Sequence, residues 1–431
     1  MAAKKALDNW PLPYSEPEEV GVSSARLAKI RPCLQKYIDD KKIPNAVTLV
    51  ARRGKIVHYE AQGFMDFDSR KPALKDTIFR LWSNSKPIAG VGTMICVEEG
   101  LLDLDDPVSK FIPAFKNPVV KFAGIQPKLT AKHPDTMLTP TVPAEREITV
   151  RDCLRNTTGL PTTRDTPIQY MTEYQDVLQG TGLLSPPDKQ PDSIRKMMES
   201  LAQLPLESHP GTRFVYQVGY PIIGIVIETV TGKSLEEFYQ ERIFKPLGMK
   251  DTSYYLARNK LEQFSTCYMP VKKKGSCELA VMDRPETSEK FKGPKVYFEA
   301  GGGRGGVLST AADYTRFAQM LLNGGELGGV RILGRKTVEL MTSSHTGNIN
   351  VPITGPGFGF GMGVGVYKGG DVPILRSIGS YGWSGAAGTI YFADPKEELI
   401  GICFTQVFTH RNIPDNNYQE EFERLVYQAL I

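Results

Sequence analysis

The sequence predicts an α/β fold: one antiparallel β-sheet built from both chain ends, flanked by helices and carrying an inserted, mainly helical domain. Three observations predict it. Residues 45–62 alternate apolar and polar side chains around Arg53-Gly54, the pattern of a β-hairpin. Gly388 to Gln406 form a second strand-rich block with a turn at Asp394 to Glu397, followed by an amphipathic helix around Glu420 to Leu430. Between these blocks the chain is helical and loop-rich, with proline-heavy connections at residues 113–148, 161–191 and 268–295. The expected division is residues 1–104 and 297–431 for the two parts of the α/β domain and 105–296 for the insertion.

With 431 residues and 41% hydrophobic content, the chain can bury a large core. Its 52 Lys and Arg against 48 Asp and Glu leave a net charge of +4, which gives no support for a nucleic-acid or membrane-surface partner. Lys272-Lys273-Lys274 reads as a solvated loop. No apolar run reaches the ~18 residues of a membrane span. The first ten residues lack the apolar centre of a signal peptide. Six scattered cysteines form no C-x-x-C pair and read as reduced thiols. The expectation is a cytoplasmic protein that acts on a small molecule and needs no cofactor; the oligomeric state is left open.

The residues that carry chemistry begin at Ser83-Asn84-Ser85-Lys86, where an extended segment turns into a helix. Positions i and i+3 share a helix face, so the Lys86 amine can reach the Ser83 hydroxyl. A serine hydroxyl is a poor nucleophile until a neighbour takes its proton, and a desolvated lysine can take it. A helix N-terminus also favours an oxyanion formed beside it. Pro87 suits a first turn, and Ile88, Val91 and Ile95 are spaced for one buried face. Ser-x-x-Lys is short, and a second copy, Ser193-Ile194-Arg195-Lys196, reads as a surface helix with a serine near its cap.

A serine–lysine pair needs a third proton carrier, and Tyr216 has the most suggestive setting of 18 tyrosines. It follows the Pro210-Gly211 turn and precedes the apolar stretch Ile222 to Ile227, where it either points into a cleft or simply packs. No G-x-S-x-G elbow is present; Gly382-Trp383-Ser384-Gly385-Ala386 fails at its last position. The five histidines are too scattered for a Ser-His-Asp triad, and His58 reads as a strand surface position. No His, Cys or acidic cluster has metal-ligand spacing, so no metal is expected. Gly301 to Gly306 is glycine-rich without the Lys-Ser/Thr of a phosphate loop and reads as a tight backbone approach beside a cleft.

Several ordered blocks resemble the serine β-lactamase-like superfamily, which includes class C β-lactamases and penicillin-binding proteins, and most closely the family VIII carboxylesterases. They include Trp82 to Pro87, Glu98 to Val108, Ile148 to Leu160, Pro246 to Thr252 and Gly305 to Tyr314. The resemblance implies a β-lactamase/transpeptidase-like fold, with Ser83 the acylated nucleophile, Lys86 its activating partner and Tyr216 an acid/base group. The Tyr-x-Asn motif has lost its asparagine, here Tyr216-Gln217-Val218. Where lactamases carry Lys-Thr/Ser-Gly, this chain has Trp383-Ser384-Gly385, close to the esterase Trp-Gly-Gly. An indole in place of a cation removes the anchor for a lactam carboxylate and adds an apolar wall. The resemblance further implies an oxyanion hole from the amides of Ser83 and Ala386. Trp82 is either a pocket wall or packing beneath the helix. The expected function is a serine hydrolase cleaving short-chain carboxylic esters. Its alternatives are an acyltransferase of the same fold, a weak β-lactam hydrolase and, last, a non-catalytic penicillin-recognising or scaffold protein.

Overall fold

The computed structural model describes residues 12–121, 140–161, 194–216, 218–273, 276–291, 300–301 and 306–431. Ser193 of the second Ser-x-x-Lys, Lys274 and Gly302 to Gly305 lie outside them. The central sheet has eight strands: β1 (Asn45–Arg52), β2 (Lys55–Asp66), β3 (Lys71–Pro72), β4 (Phe358–Phe360), β5 (Gly365–Tyr367), β6 (Tyr381–Ser384), β7 (Ile390–Asp394) and β8 (Leu399–Phe404). Their order is β4-β5-β6-β7-β8-β1-β2-β3. Both chain ends meet at its centre, where β1 pairs antiparallel with β8, Leu49 opposite Ile402.

Local chemistry accounts for the expected hairpins. Arg53 and Gly54 both have positive φ (51° and 71°), the requirement of a two-residue turn that matches strand twist. The β7–β8 turn is held by the Asp394 carboxylate, which accepts from the amide of Lys396 at 3.1 Å. Strand β1 is buried along its whole length because it has a neighbour on each side and a layer on each face. His58 departs from its expected surface position. It is half-buried, its Nε2 lies 2.7 Å from Thr48 Oγ1, and burial pushes its pKa down to about 4.

The principal helices are α1 (Ile30–Asp39), α2 (Lys86–Glu98), α3 (Ile194–Leu201), α4 (Gly219–Thr231), α5 (Ala311–Leu322), α6 (Arg335–Thr342) and α7 (Tyr418–Tyr427). Helices α1 and α7 share a core with one sheet face through Leu34, Phe392, Phe422 and Val426. Helix α5 covers the other face, where Tyr314 packs against Tyr391 and Phe404. The stretch expected to be helical also carries a β-hairpin, Cys267–Lys273 with Ser276–Asp283, whose Tyr268 amide donates to the Gln406 carbonyl beyond β8 (3.0 Å).

Helix α2 differs most from its sequence reading. One apolar face was the expectation, yet every residue from Lys86 to Cys96 is buried. The reason is position: α2 lies between α4, α6 and the loop after β4, and small residues let these approach. A Cβ on Gly90 would stand 2.2 Å from the Met362 carbonyl oxygen, and one on Gly92 would stand 2.6 Å from the Tyr239 ring. Gly→Ala within an ordinary helix stabilises by about 1 kcal/mol. Here the sign should reverse, with Gly90→Ala costing about 1–3 kcal/mol through overpacking. Thermal denaturation checks this; an unchanged or raised Tm would refute it.

Candidate active site

Ser83 sits on a sharp turn immediately before α2. Trp82 adopts φ 50°, a left-handed conformation that costs a bulky residue about 1–3 kcal/mol and must be held by its surroundings. Those surroundings are well defined. The Leu81 amide donates to the Val307 carbonyl at 2.9 Å, and the Val307 amide donates to Ser85 Oγ at 2.9 Å. Thr389 Oγ1 donates to the Leu81 carbonyl at 3.0 Å and accepts from the Asn84 amide group at 3.1 Å. The Tyr314 hydroxyl donates to the Asn84 carbonyl at 2.9 Å. Backbone on both sides of Ser83 is therefore fixed from two other regions of the chain.

Lys86 is fully buried, and its Nζ lies 3.1 Å from Ser83 Oγ. The same amine donates to the Gly301 carbonyl. It also stands 4.8 Å from the Tyr216 ring centroid and 4.9 Å from that of Tyr220. These two rings supply an electron-rich surface to a buried amine that, among the described residues, has no carboxylate partner. The Tyr220 hydroxyl donates to the Leu154 carbonyl at 2.8 Å, which leaves Tyr220 as a wall of the lysine's pocket.

Tyr216 is half-buried, and its hydroxyl accepts a hydrogen bond from Trp383 Nε1 at 3.0 Å. An indole N–H can only donate, so the phenol oxygen is oriented while its own proton stays free to move. Phe360 stacks edge-on against the Trp383 ring at 4.8 Å, and Phe214 stacks on Tyr216 at 6.2 Å. Trp383 itself is buried.

The segment that presents Tyr216 hangs on a buried ion network. The Asp152 carboxylate, with no exposure, accepts from Arg146, Arg155, Thr149 and Thr157. Nearby, the Gly211 amide donates to the Thr157 carbonyl and the Val215 amide to the Asn156 carbonyl, both at 2.7 Å. Burial raises the Asp152 pKa, but its hydrogen bonds and the Arg146 charge outweigh this and hold it below the usual carboxylate value.

Of the expected substrate-binding residues, Trp383 and Gly385 adjoin Ser83. A Cβ on Gly385 would lie 2.2 Å from the Leu81 carbonyl oxygen, so only glycine lets this strand end pass the turn that carries Ser83. Ala386 follows Gly385 and is exposed, and its carbonyl accepts from the Thr409 amide at 2.8 Å. Ser384 ends the same strand as Trp383 and is half-buried. Strand β5 pairs with Tyr381 and Gly382 and no further, leaving the outer edge of Trp383 and Ser384 without a strand partner among the described residues. Trp82 stacks on Phe408 with centroids 4.6 Å apart, half-buried, which fits packing better than a pocket wall. The sequence reading missed the Gly301 carbonyl, Thr389 and Asp152. The glycine run signalled only the first, as a close backbone approach.

The chain matches the Beta-lactamase family over residues 30–424 and belongs to it. It is 29% identical over 383 residues to Protein Rv1367c of Mycobacterium tuberculosis, covering 86% of this chain and 88% of that protein. It is 26% identical over 310 residues to Esterase EstB of Burkholderia gladioli, covering 70% of this chain and 71% of EstB. Among solved structures, EstCE1, a hydrolase with promiscuous acyltransferase activity, superposes with a TM-score of 0.73 at 25% identity, covering 94% of this chain and 99% of EstCE1. Unliganded simvastatin synthase (LovD) of Aspergillus terreus shares the fold, with a TM-score of 0.73 at 22% identity over 93% of this chain and 98% of LovD. The chain is a hydrolase of the serine β-lactamase fold.

Asp152→Asn would leave two guanidinium groups short of a partner and should cost about 3–5 kcal/mol, the usual loss when a buried pair is broken. The sign follows from the lowered folded-state pKa. The carboxylate's contribution is complete above its unfolded pKa, near 4. It is lost as pH falls through the lower folded value. Denaturant unfolding of both proteins from pH 7 down to pH 2 should show the stability gap closing only at the acid end. A gap independent of pH would refute the account.

Proposed function

We propose that this chain is a serine esterase that cleaves short-chain carboxylic esters through an acyl-enzyme on Ser83, with Lys86 and Tyr216 as acid/base partners. The observation that carries the reading is the fully buried Lys86 amine 3.1 Å from Ser83 Oγ. In this reading Ser83 Oγ attacks the ester carbonyl and its proton passes to Lys86. The amides of Ser83 and Ala386 receive the oxyanion. Tyr216, its oxygen bonded by Trp383, gives a proton to the leaving alkoxide and recovers one from the water that hydrolyses the acyl-enzyme. The similarity to an esterase and to EstCE1 supports this assignment. EstCE1's acyltransferase activity favours one second reading: an alcohol replaces water in the last step, with the same residues in the same roles.

Ser83→Ala should abolish both ester hydrolysis and covalent labelling by a fluorophosphonate without loss of fold. Lys86→Met and Tyr216→Phe should each lower kcat by roughly 10²-fold or more. The double variant should be little worse than either, because the two groups act as a unit. A Tyr216→Phe enzyme with near-normal kcat would remove Tyr216 from the mechanism.

Selectivity should follow from Trp383. Hydrolysis of a neutral ester such as p-nitrophenyl butyrate should exceed that of any penicillin by orders of magnitude. A lactam carboxylate placed against the indole would lose solvation without gaining a cation, at a cost of several kcal/mol. Equal kcat/KM for a penicillin and the best ester would refute this.

A further inference from the structure

A cavity of about 520 Å³ reaches Tyr216, and its lining says what else the substrate carries. Phe214, Ile349 and Ile353 give it apolar walls. Among the described residues that line it, Arg213 alone is charged, and Asn350 adds an amide. Arg213 is exposed, and among the described residues no carboxylate lies within ion-pair distance of its guanidinium. The neighbouring arginines are engaged: Arg146 and Arg155 both bind Asp152. The position of Arg213 is set by the chain on both sides of it. Thr212 Oγ1 donates to the His209 carbonyl at 2.7 Å, and the Val215 amide donates to that of Asn156 at 2.7 Å. Two residues separate Arg213 from Tyr216, so their Cα atoms lie about 10 Å apart at most.

We propose that Arg213 is a specificity-determining residue that binds a carboxylate on the alcohol portion of the ester, several bonds from the scissile oxygen. The proposal rests on Tyr216 being the group that protonates the leaving oxygen: a cavity walled by Tyr216 and its chain neighbours then receives the leaving group. A guanidinium presents a planar fork of donors that matches a carboxylate, and apolar walls hold the carbon skeleton between carboxylate and ester. A lactam carboxylate lies too close to its scissile bond to use this site and meets Trp383 instead.

The test compares 4-butyryloxybenzoate with its methyl ester, which share an acyl group and differ in one charge, in the wild-type enzyme and in Arg213→Gln. The variant should lower kcat/KM for the carboxylate substrate by about 5- to 10-fold, mostly through KM, while the methyl ester changes far less. The difference should shrink with added salt. Arg213→Lys should recover part of it. Equal effects on both substrates, or no effect, would overturn the proposal. So would selective slowing of mono-p-nitrophenyl glutarate, which carries its carboxylate on the acyl side. Hydrolysis of p-nitrophenyl butyrate by wild type and by Ser83→Ala, run alongside, reports separately on the esterase reading.

Discussion

Everything in this structure turns on keeping one lysine amine dry. Lys86 has no solvent exposure, so each direction its amine faces must offer a protein group in place of water. Ser83 Oγ, the Gly301 carbonyl and the faces of Tyr216 and Tyr220 do so. Among the described residues, none of the groups bonded to this amine is a carboxylate.

That requirement shapes the scaffold around it. The four groups come from three distant stretches of chain, at residues 83, 216–220 and 301, so no single element can hold them. Each segment is instead tied to another by its backbone. Val307 pairs with Leu81 and Ser85, Thr389 binds Leu81 and Asn84, and the Tyr216 segment is hooked to Asn156 and Thr157. The rigid sheet supplies Trp383 to Thr389. The buried Asp152 network supplies the anchor for Tyr216. Glycines stand where these layers touch, at Gly90 against Met362 and at Gly385 against Leu81, because any Cβ would force the layers apart.

How much of this could be read from the chain follows from which interactions are local. The hairpin at Arg53-Gly54 and the β7–β8 turn at Asp394 are decided within a few residues, and period and turn chemistry reveal them. Ser83 and Lys86 are three residues apart, so their meeting was also legible. Tyr216 was found only weakly from its own surroundings, since its partner Trp383 is 167 residues away. The complete burial of α2 was not legible: a central helix and a surface helix share the Ile88, Val91, Ile95 spacing, and only the packing of α4 and α6 distinguishes them. The Asp152 hub escaped for the same reason, for its local signature is an ordinary capping box with Thr149.

Trp383 links catalysis to selectivity. In the superfamily pattern this position carries a cation, which would anchor a substrate carboxylate. The indole keeps only a donor, and that donor is spent on the Tyr216 hydroxyl. A neutral N–H carries no charge with which to draw an anion to the strand. Charge recognition, if the substrate needs it, must then come from elsewhere along the cleft. Among the described residues that line the cavity beside Tyr216, Arg213 is the one cation, on the segment that also presents Tyr216. On the proposed reading, anion binding falls to the Tyr216 segment instead of the strand that carries Trp383, and a carboxylate is bound only at a distance from the bond that breaks.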